Sequence, residues 1–60
     1  MKKAVIKKPK TIDMGKNKGK LNFTTGQTVY VVKQINPEQL VIENDFGDKC
    51  SYLITDLKLL

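Results

Sequence analysis

Sixty residues with one cysteine and no histidine leave this chain little but its own packing to hold it together. A lone thiol cannot close an internal disulfide, and without histidine or a second cysteine no ordinary structural zinc site can form. A domain this short buries only about 60% of the surface that its unfolded chain exposes, so its margin of stability is narrow. The fold must therefore be economical. Small domains without a staple need a dense core, or a barrel-like sheet that leaves few edges open.

The pattern that could build such a sheet begins at Leu21, where apolar residues settle into period two. Leu21 and Phe23 share a face, and Thr24-Thr25-Gly26-Gln27 reads as a turn. Thr28-Val29-Tyr30-Val31-Val32-Lys33 is the strongest strand, β-branched or aromatic up to its closing lysine. Leu40-Val41-Ile42-Glu43 is a second strand, and Asn44-Asp45-Phe46-Gly47 suits a type I turn, with Asn first and Gly fourth. Lys49-Cys50-Ser51-Tyr52-Leu53-Ile54 follows as a third strand, with Cys50, Tyr52 and Ile54 on one face. Thr55-Asp56-Leu57 reads as one tight helical turn before a last short strand, Lys58-Leu59-Leu60. Asn36-Pro37-Glu38-Gln39 also has the form of a helix start. A helix over residues 37–45 would place Leu40, Val41 and Ile42 consecutively, which gives no apolar stripe, so turn-then-strand is the favoured reading. The expected fold is all-β: a small barrel of about five short antiparallel strands, with Val29, Val31, Leu40, Ile42, Leu53 and Leu57 in its core.

The stretch Phe23-Thr24-Thr25-Gly26-Gln27-Thr28-Val29-Tyr30-Val31 resembles the opening of small bacterial and phage Src-homology-3-like (SH3-like) domains, in which a Gly turn launches the first strand. The strand and turn at residues 40–47, then Tyr52, then the helical turn and last strand at residues 55–60 continue the resemblance, which covers about residues 21–60. It implies an SH3-like barrel and says little about function, because the fold hosts nucleic-acid binders, peptide binders and structural modules. The chain lacks the tryptophan and the acidic, aromatic-rich first loop of the members that bind proline-rich peptides, so that groove is not carried over. The resemblance, with brevity and the lack of arginine, suggests a phage-type or bacterial source.

Residues 1–20 differ in kind. They hold eight lysines against Asp13, a charge of +7, whereas residues 21–60 hold three lysines against five carboxylates, a charge of −2. Two short β-like pieces stand out, Ala4-Val5-Ile6 and Thr11-Ile12-Asp13-Met14, and Gly15-Lys16-Asn17-Lys18-Gly19-Lys20 reads as an exposed, mobile loop. Residues 1–3 and 15–19 are expected to be the least ordered. The segment is taken as an arm ahead of a barrel at residues 21–60, partly disordered or paired as an edge strand, where lysines keep edges from aggregating. The apolar run Ala4-Val5-Ile6 is far shorter than the roughly 7–15 residues of a secretory signal. A single thiol fits a reducing cytoplasm, and nothing in the chain reads as a membrane span.

Catalysis has little to work with. Cys50 reads as a small hydrophobe in mid-strand, and Asp45-Phe46-Gly47 is a turn that happens to spell a kinase tripeptide. Asp45 and Asp48 offer too few fixed oxygens for calcium, and the Gly15–Lys20 loop lacks the spacing and hydroxyl of a nucleotide loop. No catalytic or metal residue, no cofactor and no small-molecule substrate is therefore expected. Two functions remain. The favoured one is a non-enzymatic module that regulates a larger cytoplasmic protein by docking on it through the barrel face, an exposed strand edge that adds a strand, or Phe46, the candidate anchor at a turn tip. The alternative places Lys2, Lys3, Lys7, Lys8, Lys10, Lys16, Lys18 and Lys20 on nucleic-acid phosphates. Lysine is a hydrated point charge that suits phosphate, whereas reading guanine edges favours arginine, so that contact would carry no sequence specificity.

Overall fold

The computed structural model describes residues 2–60 as strands joined by turns, with one 3₁₀ turn near the end. The strands are β1 (Lys3–Ile6), β2 (Lys10–Asp13), β3 (Lys20–Phe23), β4 (Thr28–Asn36), β5 (Gln39–Glu43), β6 (Lys49–Leu53) and β7 (Leu57–Leu59), and the 3₁₀ turn is Ile54–Asp56. One antiparallel sheet has the order β6-β5-β4-β1-β7, and β2 pairs with β3 in a separate hairpin. The all-β class is as the sequence suggests. The strand number is seven rather than about five, and the larger ladder ends at β6 on one side and β7 on the other.

The largest departure is at the N-terminus. Residues 3–6 form an interior strand rather than an edge or an arm: β1 lies between β4 and β7, with Ala4 opposite both Val29 and Leu59. Ala4 and Ile6 are fully buried, while Lys3 and Val5 take the opposite face. Directly opposed residues share a face, so Lys3 meets Tyr30, with its ammonium 5.7 Å from the ring centroid. Of the residues expected to be least ordered, Met1 lies outside the described residues. Lys2 accepts a hydrogen bond from the Val31 N–H (2.8 Å), and residues 15–19 close the β2–β3 hairpin, with Met14 N–H bonded to the Gly19 carbonyl.

The core consists of Ala4, Ile6, Phe23, Val29, Leu40, Ile42, Tyr52 and Leu57, with Val31, Cys50 and Ile54 half-buried against it. Leu53 is a correction: it is 43% exposed, because the inward face of β6 carries Tyr52, and alternation turns its neighbour out. Tyr52 meets Phe23 edge-on, at 5.8 Å between centroids and 78° between planes, which seats the β2–β3 hairpin on the sheet.

The helix-start signal at Asn36 serves a two-residue hairpin turn between β4 and β5. The Asn36 side chain accepts from the Glu38 N–H (2.9 Å) and donates to the Gln39 side chain (3.0 Å), so both its polar groups stabilise the turn. At the next hairpin, Asn44 is buried and its Oδ1 accepts from the N–H groups of Phe46 and Asp48, both at 2.9 Å. Gly47 has φ +87°, a left-handed conformation that β-branched residues resist. An added Cβ would meet nothing closer than Glu43 Oε2 at 3.9 Å, so the cost of substitution is backbone strain alone. Gly47→Val should therefore lower stability by about 1–2 kcal/mol in chemical denaturation. Equal midpoints and slopes for the two proteins would mean that the turn is misassigned.

Candidate functional site

Six of the eight lysines sit on the β2–β3 hairpin or its base: Lys7, Lys8, Lys10, Lys16, Lys18 and Lys20. Register decides what each can reach. Lys10 faces Phe23 and Ile12 faces Leu21 on the inward side, while Thr11 faces Asn22 and Asp13 faces Lys20 on the outward side. Lys10 is thus folded onto the sheet, donating to the Ser51 carbonyl (3.0 Å) with its ammonium 5.2 Å from the Tyr52 ring centroid. Lys20 lies across the ladder from Asp13, the one carboxylate of the hairpin, whose Oδ1 accepts from the Gly15 N–H (3.0 Å). Lys7, Lys8, Lys16 and Lys18 remain as exposed cations on a projecting hairpin. The backbone N–H groups of Lys7 and Lys8 both bond to the Asp56 carbonyl, which fixes the hairpin base against the 3₁₀ turn.

Lys2 and Lys3 are placed elsewhere, beside a groove that the sequence reading did not foresee. Val31 and Val32 of β4, Leu40 of β5, Ile54 of the 3₁₀ turn and Leu59–Leu60 line a hollow of about 610 Å³. Leu40 is buried and Val31 and Ile54 half-buried, whereas Val32, Leu59 and Leu60 are 43%, 53% and 69% exposed. The charged residues of its lining are Lys2, Lys3 and Lys33, with no Asp or Glu among them, and the Lys3 ammonium is turned to the Tyr30 ring on the other face of the sheet. This volume falls within the range of about 300–1,000 Å³ usual for binding sites.

Phe46 is 89% exposed at the tip of the β5–β6 hairpin and lies outside the groove lining. Cys50 is half-buried; burial raises its thiol pKa, the Lys10 charge opposes that shift, and the S–H donates to the Ser51 carbonyl. A thiol held protonated is a poor nucleophile. Burial also raises the Tyr52 hydroxyl, which donates to the Lys8 carbonyl at 2.6 Å. Among the described residues no three carboxylate or cysteine side chains gather as a metal site, and no helix is long and apolar enough to cross a membrane. No family model, curated protein or solved structure matches the chain.

Proposed function

We propose that this chain is a small non-enzymatic binding module that acts by docking on a larger cytoplasmic protein, in the manner of phage-type or bacterial regulators. The observation that carries the reading is the apolar groove between β4 and the C-terminal residues, with Lys2 and Lys33 at its rim. Contiguous exposed apolar surface marks interaction sites, in contrast to scattered single residues. Phe46 adds a separate anchor at a hairpin tip. An SH3-like architecture is part of the proposal. It is supported by the strand order β6-β5-β4-β1-β7, a hairpin inserted after β1, and a 3₁₀ turn before the last strand.

The exposed hairpin cations Lys7, Lys8, Lys16 and Lys18 favour a second reading, in which the hairpin lies along a nucleic-acid backbone. Four phosphate contacts imply a log–log salt slope of about −3.6 on duplex DNA, and the pair Lys16→Ala and Lys18→Ala should remove about half of it. Affinity should change little with DNA sequence, because no arginine is present. Co-purification of the tagged full chain from its native host, with and without nuclease, separates the two. The docking reading expects a protein partner that survives nuclease and is lost with Leu60→Ser. Release of all bound material by nuclease, together with the steep salt slope, would replace it with the nucleic-acid reading.

A further inference from the structure

We infer that the groove receives an extended, acidic segment of the partner protein, its backbone added to the free edge of β4 and its apolar side chains set against Val32, Leu59 and Leu60. This rests on the protein-docking reading and names the chemistry of what docks.

Three observations converge on it. First, β4 is paired on both sides only over its first part. β1 accompanies it from Thr28 to Tyr30, and among the described residues the ladder ends with the bond from the Val31 N–H to the Lys2 carbonyl, just ahead of β1. From Lys33 to Asn36, among the described residues, β4 pairs with β5 alone, and because the Asn36 carbonyl accepts from Gln34 Nε2 (3.0 Å) the open edge is Lys33 to Ile35. A strand edge with open N–H and C=O groups beside an apolar groove is the arrangement that strand addition uses, with backbone bonds giving affinity and side-chain pockets giving specificity. Secondly, no acidic side chain stands in the lining, and Lys3 is turned to the Tyr30 ring, so carboxylates on the incoming strand would meet Lys2 and Lys33. Thirdly, the other occupants fit poorly. A second copy would bring a chain of net charge +5 against the same lysines. A nucleic acid would find no aromatic ring in the lining on which to stack a base.

The test uses the full chain and an eight-residue peptide of alternating glutamate and valine, capped at both ends and labelled with fluorescein. Its counterparts carry lysine in place of glutamate or serine in place of valine. Fluorescence anisotropy should show saturable binding of the glutamate–valine peptide and at least tenfold weaker binding of both counterparts. Amide shifts in ¹⁵N spectra should concentrate at residues 31–36, 54 and 59–60. Lys33→Glu, an exposed substitution whose folding the same spectra verify, should weaken binding about tenfold or more. Equal binding of the lysine peptide, shifts centred on the β2–β3 hairpin or on Phe46, or sedimentation showing a dimer closed over the groove would each overturn the inference. No binding of the acidic peptide also overturns it, and a nuclease-resistant partner in the host experiment would then leave the docking reading standing with a different occupant.

Discussion

Deleting residues 1–10 is expected to leave a chain that no longer folds, seen as loss of far-ultraviolet strand signal and collapse of amide dispersion. The deletion takes all of β1, which among the described residues is the only pairing partner of β7 and one of the two partners of β4. Ala4 and Ile6, at 0% and 1% exposure, go with it. So do the Lys7 and Lys8 N–H bonds to Asp56 and the Lys8 carbonyl that holds the Tyr52 hydroxyl. Burying a side chain such as isoleucine contributes about 1.5–3 kcal/mol. A core of this size supplies no more than roughly 3–5 kcal/mol in all, so these losses together exceed it. A truncated chain with native-like dispersed spectra would show that β1 does not lie between β4 and β7. The same geometry means that the role of the lysines has to be tested by point substitution, because removing the segment removes the fold.

What the sequence could and could not reveal follows from how each element is encoded. β4, β5 and β6 were readable because β-branched runs between turn residues need no tertiary context to be recognised as strands. Ala4-Val5-Ile6 was visible as β-like, but its lysine flanks resemble those of a protected edge, and only the partners on both sides make it an interior strand. Tyr52 and Leu53 illustrate the one-residue slip to which a face assignment is prone. Both are credible core residues by type, and the choice falls to Tyr52 because its hydroxyl finds the Lys8 carbonyl while its ring meets Phe23. The exposed position of Phe46 followed from its turn. The groove was hidden for a different reason: its walls come from residues 31–32, 54 and 59–60, which no local pattern connects. The lysine set likewise reads as one cluster along the chain, yet the fold divides it between a hairpin and the far end of β1, and engages Lys3 and Lys10 on aromatic rings.

Phe23→Ala should be the most damaging single substitution on the hairpin, lowering stability by about 3–5 kcal/mol, the range for buried aromatic truncation. Phe23 is the one fully buried side chain of β2 and β3, whose other inward residues, Ile12 and Leu21, are half-buried. Its loss opens a cavity beside Tyr52 and removes the edge-on ring contact that seats the hairpin. Since the expected cost equals the whole margin of a domain this size, the variant should be largely unfolded at 25 °C. Phe23→Leu retains apolar bulk and gives up chiefly the ring–ring contact, so it should stay folded and lose about 1–2 kcal/mol. Tyr52→Phe keeps both rings and removes only the donor to Lys8, at a cost of about 0.5–1.5 kcal/mol, the net worth of one hydrogen bond to a carbonyl that water can reach. Urea denaturation of the two conservative variants, with circular dichroism of Phe23→Ala, measures the series. A loss below about 1 kcal/mol for Phe23→Ala would mean that the ring is not buried against Tyr52 and that the hairpin moves independently of the sheet. Its exposed lysines would then be carried on a mobile element, and Lys10 would no longer be held at Ser51.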